Sequence, residues 1–436
     1  MKHIHELRDP IHAFVRLTTE ERKVLDSRPF QRLRHVHQLA LTYLVYPGAT
    51  HRRFEHSLGV MELASRVYDI VTRPENLTDP VRAELPELEQ KRDYWRQVLR
   101  MAALCHDIGH LPFSHGAEKE LLGGGTHEDL TALMINSQEM ASIWKEMKIF
   151  PEDVAKLALG PKEMPIAAFT AWETILAEII VGDAFGVDRM DYLLRDSLHA
   201  GVAYGRFDQY RLMDTLRILP VSPVGDDESQ NADLSLGIEE GGLQSAEALL
   251  LARYFMYSQV YFHPVRRIYD IHLQDFMTAW LPNGYPADVD GHLGLTDVEV
   301  LAAMRHAERE PQARGHQSAR AILRRRHFKP VYTRNLEDVM LDPEAGAAIY
   351  GALSQAFGPD MVRRDRYVQR NRPLDFPVLM RDGQVASSVA VSTVLQNLPI
   401  VSVDTVYTQA EMREGVKNWI NKHKQEILKP ASEEDV

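Results

Sequence analysis

The stretch MAALCHDIGHLPFSH (101–115) sets His106, Asp107 and His110 directly behind the apolar run Met101 to Leu104. Apolar periodicity over Val98 to Asp107 predicts a helix, and Gly109 and Pro112 predict its end. Imidazoles and a carboxylate placed on a core helix are costly to bury unless they are paired or bind a metal. The stretch therefore predicts a helical core with a polar cluster at a helix end.

Working outward, two further residues join the cluster. His56 precedes a helical pattern in which Val60, Leu63, Ala64, Val67, Ile70 and Val71 recur at the helix period. Asp188 opens a new helix after Gly182 and Gly186 interrupt the apolar run Ile175 to Ile180. Packed helices can project such groups into one cavity. Two histidines and two aspartates, His56, His106, Asp107 and Asp188, make a mixed nitrogen and oxygen site suited to one divalent metal: Mn, Fe, Mg or Zn. Gly109 allows the distorted terminus that would present the adjacent pair together. Each histidine taken singly also fits a core residue with a satisfied hydrogen bond.

The whole chain has 436 residues, 44% of them hydrophobic and 26% charged, enough to bury a sizeable core. No apolar run approaches the ~20 residues of a membrane span, and the polar N-terminus lacks the apolar stretch of a signal peptide. One cysteine, Cys105, excludes an internal disulfide and fits the cytoplasm. The formal net charge of -12 disfavours general polyanion binding, so a phosphate substrate must meet local arginines or a metal. The first 220 residues read as helices, 221–235 and 282–295 as loops, and Ser245 to Tyr261 as a helix. His327 to Tyr332, Phe376 to Met380 and Ile400 to Tyr407 read as strands, with a turn at Arg381-Asp382-Gly383 and a frayed tail from Lys429. The fold class is mainly α: a large helical domain over 1–325, then a smaller α+β region over 326–436.

The ordered runs HRRFEHSLGV (51–60), CHDIGHLPFSH (105–115) and VDRMDYLLRD (187–196) resemble the HD phosphohydrolase superfamily. DPIHAF (9–14), FQRLRHVHQL (30–39) and YPGATH (46–51) extend the match to the branch holding the animal SAM-and-HD-domain dNTP triphosphohydrolase and bacterial dNTP triphosphohydrolases. The resemblance implies the same four metal ligands. It implies catalytic roles for His115 and His127, His110 lining the cavity, and Glu118 in place of an aspartate that orients the catalytic histidine. For substrate it implies Arg53, Arg189 and Arg253 on phosphate, and Tyr192, Asp196 and Tyr261 on the sugar. Gln38 and Leu39 match a sugar-reading pair. Read without it, Arg189 and Arg253 also suit surface ion pairs, and Tyr261 suits the core. Phe262 and Pro264 depart from the animal enzyme, so base preference does not carry over.

The implied reaction gives deoxynucleoside and triphosphate from a dNTP. The alternative is an HD-type nuclease or phosphodiesterase acting on nucleic acid or a cyclic nucleotide, because one metal site suits any phosphate ester. A sensor without catalysis is a third reading, against which the intact ligands stand. The basic runs Arg324 to Arg326 and Arg363, Arg364 and Arg366, near Phe328 and Tyr367, admit nucleic acid without favouring it. The resemblance also implies a homo-oligomer and an allosteric guanine-nucleotide site at Asp26 and Arg34, with His5 where the animal enzyme has a lysine. A plain Asp26–Arg34 ion pair fits the sequence equally well.

Overall fold

The computed structural model describes residues 4–114, 118–221, 233–286, 288–368 and 374–428. The core of the first unit is built on the helix Arg53–Val71, whose Phe54, Leu58, Val60, Met61, Leu63, Ala64, Val67 and Val71 are all buried. It packs against Glu89–Cys105 and Val187–Ala200, and Ala171–Val181 lies alongside. Local sequence sets the ends of these helices. Thr170 and Glu173 cap Ala171–Val181 reciprocally, and Gly201, at a left-handed φ of 73°, closes Val187–Ala200. No helix among the described residues is long and apolar enough to cross a membrane.

The fold is mainly helical, as expected, but the N-terminal region is not helical throughout. Ile4–Asp9 and Ala13–Thr18 pair as an antiparallel hairpin. Their alternating burial is a strand signal, short enough to be overlooked beside a motif. Leu216–Val221 is also a strand, and with Asp233–Glu239, Pro377–Leu379 and Val385–Ser387 it forms a four-stranded sheet. Pro377–Leu379 falls within one of the expected strands, and Ser402–Thr408 and Lys329–Thr333 overlap the other two. The expected helix to Tyr261 is α-helical to Met256 and continues as a π-helix over Tyr257–Tyr261, and Val289–Leu293 forms one short helix within an expected loop. Residues 222–232 of the expected loop, the tail 429–436 and His115 lie outside the described residues.

The chain divides into two compact units: 1–256 with 285–298 and 371–398, and 257–284 with 299–370 and 399–436. They interleave along the chain, whereas a single boundary at 325/326 was expected, because strands late in the sequence complete the first unit's sheet. The second unit carries the antiparallel sheet Lys329–Thr333, Ser402–Thr408 and Val362–Val368, in that order. Its core gathers Tyr332, Ile349, Leu353, Val362, Val406, Val416 and Ile420. The basic run is thus the strand Val362–Val368. Its arginines are paired within the unit: Arg364 with Asp404 at 2.8 and 2.6 Å, and Arg366 with Glu344 at 2.7 Å. Arg363 lies 3.6 Å from Asp275.

Two buried histidines of this unit make its stability depend on pH. Burial pushes His272 down to about 4, aided by Arg363 and His327, and pushes His327 down to about 4, aided by Lys329 and Arg325. His272 Nε2 accepts a hydrogen bond from the Phe328 amide at 3.3 Å, a role open only to the neutral ring. The unfolded imidazole titrates near ~6.5, so the unfolded chain binds these protons first. Stability is complete above that pH and falls between about 6.5 and about 4, by up to ~1.4 kcal/mol per pH unit for His272. The unfolding transition of the parent should therefore drop in temperature from pH 7 to pH 5, and His272→Gln should flatten that slope; an equal slope in the variant would refute the assignment.

Candidate metal centre

The long helix Arg53–Val71 delivers His56, and the turn that follows Glu89–Cys105 delivers His106 and Asp107. Asp188 sits in the first turn of Val187–Ala200. His56 Nε2 lies 3.0 Å from Asp188 Oδ1 and 3.6 Å from Asp107 Oδ2. His106 Nε2 lies 3.5 Å from both Asp188 Oδ1 and Asp107 Oδ1. His56, His106 and Asp188 thus place three donor atoms within 4.8 Å of one another. Asp107 faces the same point, held also by Arg53 Nη1 and by His110 Nε2 at 3.0 Å.

The donor set fits a cation. His106 donates Nδ1–H to the Ala103 carbonyl at 2.8 Å, and its Nε2 is then buried with no hydrogen-bond partner among the described residues. A lone pair aimed at two carboxylates is how a metal-ligating imidazole is presented. Charge tells the same story. Burial opposes a charged His56, yet Asp188, Asp191 and Asp107 outweigh it and raise the ring to about 10, so the carboxylates demand a cation at Nε2. Burial likewise opposes the Asp107 charge, and Arg53, His106 and His110 hold it well below the usual carboxylate range. His56, His106 and Asp188 can therefore hold one divalent metal.

Beside this cluster stands a second array. His127 begins the helix His127–Ile135, with Thr126 as its N-cap. Its Nδ1 meets Glu118 Oε1 at 2.7 Å and Glu128 Oε2 at 3.1 Å, and its amide also donates to Glu118 Oε1. The His110 and His127 rings stack with centroids 3.9 Å apart. Burial and the nearby Arg53 hold His110 well below its ordinary value, so it is neutral. The turn after the metal ligands is strained: Phe113 and Ser114 both take left-handed φ, at 55° and 59°. Asp297 Oδ1 holds the Phe113 amide at 2.7 Å, and Arg53 Nη2 holds Ser114 Oγ at 2.7 Å. Cys105, the last residue of Glu89–Cys105, is buried, and burial pushes its thiol up.

The other expected residues are placed unequally. Asp196 is buried and its Oδ1 holds His51 Nε2 at 2.7 Å; the His51 carbonyl accepts from the Gln38 amide at 3.1 Å. His51 therefore brings Gln38 and Asp196 together, and Gln38 Oε1 is buried with no hydrogen-bond partner among the described residues. Leu39 is buried and Tyr192 half-buried. The Arg189 guanidinium bonds the carbonyls of Gly182 and Asp183, in the turn before its own helix. Arg253 is half-buried on Leu243–Met256. Tyr261 belongs to the second unit, its ring 5.1 Å from Tyr257. Asp26 pairs with Arg22 at 3.1 Å and not with Arg34, whose guanidinium lies over the Phe54 ring at 3.5 Å.

One residue of the site was missed. Asp191, fully buried, accepts from His56 Nδ1 at 2.8 Å, His12 Nε2 at 2.6 Å, and Arg195 Nε and Nη2 at 2.8 and 2.9 Å. Its signal was a carboxylate three residues after Asp188, on a helix face that also carries Arg195. Gly59 makes room for it: a Cβ there would overlap the Asp191 carboxylate and stand 2.5 Å from Arg195 Nη2. Gly59→Ala should lower stability by about 3 kcal/mol, the upper range for overpacking, and strip bound Mn²⁺. Denaturant titration and elemental analysis measure both, and a variant with normal stability and normal metal content would contradict this packing.

A profile of the HD domain matches residues 53–196, and one of the HD associated region matches 227–349. An uncharacterized protein of Methanocaldococcus jannaschii is 36% identical over 302 residues, 69% of this chain and 55% of that protein. YwfO of Bacillus subtilis is 35% identical over 312 residues, 67% of this chain and 63% of that protein. The deoxynucleoside triphosphate triphosphohydrolase SAMHD1 of Bos taurus is 33% identical over 240 residues, 49% of this chain and 38% of that protein. The chain thus spans less than two thirds of the length of each of these relatives. A crystal structure of a hypothetical protein from Aquifex aeolicus superposes with a TM-score of 0.78 at 31% identity, covering 95% of this chain and 99% of that one. With its HD motif built into a metal-ready site, the chain belongs to the HD-domain phosphohydrolase superfamily.

Proposed function

We propose that this chain hydrolyses deoxynucleoside triphosphates to deoxynucleoside and inorganic triphosphate, in the cytoplasm. One observation carries the reading: the metal cluster and the Glu118–His127 pair are joined through His110, which bonds Asp107 and stacks on His127. A metal centre beside an oriented imidazole suits phosphate-ester cleavage with a protonated leaving group. The likeness to animal dNTP triphosphohydrolases supports the substrate class.

His56, His106 and Asp188, with Asp107 close beside them, would hold one divalent metal, of which Mn, Fe, Mg and Zn all suit the ligands. When bound it polarises a phosphoryl oxygen and acidifies water. Arg53 and Arg253 bind phosphate oxygens, while Arg189 keeps the turn before its helix. Gln38, Leu39, Tyr192 and Asp196 read the deoxyribose, with the uncommitted Gln38 Oε1 available to a sugar hydroxyl. Water adds to the α-phosphorus, the bond from phosphorus to the 5′ oxygen breaks, a proton reaches that oxygen from His127, and the proton released by the added water restores His127. Glu118 fixes Nδ1–H of His127 and so turns Nε2 toward the leaving group. Neutral His110 spares His127 like-charge repulsion. His115 serves as a further proton-transfer group on the strength of the resemblance.

Phosphorus NMR of the products formed from each dNTP tests the reaction. Inorganic triphosphate should be the first product, and His127→Ala should slow turnover by at least ~100-fold without a shift in melting temperature. Pyrophosphate or orthophosphate as first product would defeat the proposal, as would cleavage of single-stranded DNA with no dNTP turnover.

The chain further acts as a homo-oligomer with a guanine-nucleotide effector. A surface pocket of about 310 Å³ is lined by His5, Glu6, Arg22, Asp26 and Arg34, among others, which supports this reading. Asp26 suits the paired donors on guanine's edge, and Arg22 and Arg34 suit phosphate. GTP or dGTP should raise both the rate of dATP hydrolysis and the mass measured by light scattering, and Asp26→Ala should abolish the response. If guanine nucleotides change neither rate nor mass in the parent, the effector reading fails.

A further inference from the structure

We infer that His12, in the N-terminal hairpin, is a positioning residue for the metal centre, acting through Asp191 on the ligand His56. The inference rests on the metal-dependent reading above and adds an element far away in sequence to that site.

His12 stands in the turn between Ile4–Asp9 and Ala13–Thr18. Asp9 builds the turn: its Oδ1 accepts the amides of Ile11 and His12, both at 2.8 Å. Its Oδ2 accepts Arg195 Nη1 at 2.9 Å, which fastens the turn to Val187–Ala200. The His12 ring is thereby directed inward, and its Nε2 meets Asp191 Oδ1 at 2.6 Å with both side chains fully buried.

The division of labour on Asp191 is specific. Each carboxylate oxygen takes one arginine N–H and one imidazole N–H: Oδ1 from Arg195 Nη2 and His12, Oδ2 from Arg195 Nε and His56. A carboxylate accepts only, so both rings must donate at these nitrogens. For His56 this fixes the proton on Nδ1 and leaves Nε2 to face Asp188. Arg195 is on the same helix as Asp191, so its two bonds to the carboxylate stay within that helix. His56 and His12 are the donors that arrive from other elements, and the bond from His12 balances the bond from His56. Its other ring nitrogen, Nδ1, is buried with no hydrogen-bond partner among the described residues. Apolar filler would occupy that space without a desolvated nitrogen. The bond to Asp191 is what the imidazole supplies.

The test uses the full chain with His12→Leu, His12→Asn and His12→Gln. Leucine cannot donate and asparagine is too short to reach Asp191, whereas the glutamine amide nitrogen reaches about as far as Nε2. Mn²⁺ affinity is measured by titration calorimetry, the ligand field by the visible absorption of the Co²⁺-loaded protein, and folding by melting in EDTA. The leucine and asparagine variants should bind Mn²⁺ about 10- to 100-fold more weakly, the usual effect of an outer-shell change. They should show an altered Co²⁺ spectrum, and the glutamine variant should restore both. Wild-type affinity and spectrum in the asparagine variant would overturn the role of His12 alone. So would equal losses in all three variants that follow the melting temperature. A parent chain that binds neither Mn²⁺ nor Co²⁺ would overturn the metal reading and this inference with it.

Discussion

The first unit is organised around one buried negative charge. The Asp191 carboxylate is out of reach of water, and a desolvated carboxylate is tolerated only where donors replace its hydration. Arg195, His12 and His56 supply them, and they hold Asp191 ionised although burial opposes it. Those donors come from a helix, a hairpin turn and a second helix, so satisfying one side chain fixes three elements against each other. Gly59 belongs to the same constraint, because the helix Arg53–Val71 approaches closely only where a side chain is missing. Removing a single partner from such a group is the damaging change, since the charge stays buried while its compensation goes.

What could be read from the chain, and what could not, follows from the range of each interaction. His106 and Asp107 stood out because they follow an apolar run, a local conflict visible in a window of ten residues. His56 and Asp188 were marked by the helical patterns that they open, and the four converge in space. Asp191 shows no such local conflict. Its partners His56 and His12 lie 135 and 179 residues away, and no periodicity encodes pairing at that range. The motif around Asp9 to Phe14 was noticed for its likeness to a family, while its physical task, turning His12 toward Asp191, appears only in three dimensions. Arg189, next to Asp188, also bonds the 182–183 carbonyls, a local tie that its place in the motif does not announce.

The basic run 363–366 teaches a related lesson about charge. In the sequence it is a cationic stripe; in the fold it alternates along a strand and meets Asp404, Glu344 and Asp275. Pairing of this kind leaves less unmet positive potential for a polyanion than the residue count suggests. The same geometry gives Asp404 two bonds from Arg364, which pins the central strand of that sheet to its neighbour.

Cys105 closes the helix that carries the HD pair, and it is the only thiol in the chain. Enclosed on all sides and held protonated, it is inert to electrophiles as long as that helix end stays shut. The unmodified chain therefore contains its own clock for local opening: the rate at which a thiol reagent labels Cys105 counts the excursions in which the helix end beside His106 comes apart. A cation held by His56, His106 and Asp188 would tie that end to two other helices, so labelling with and without added metal would read its mechanical grip directly.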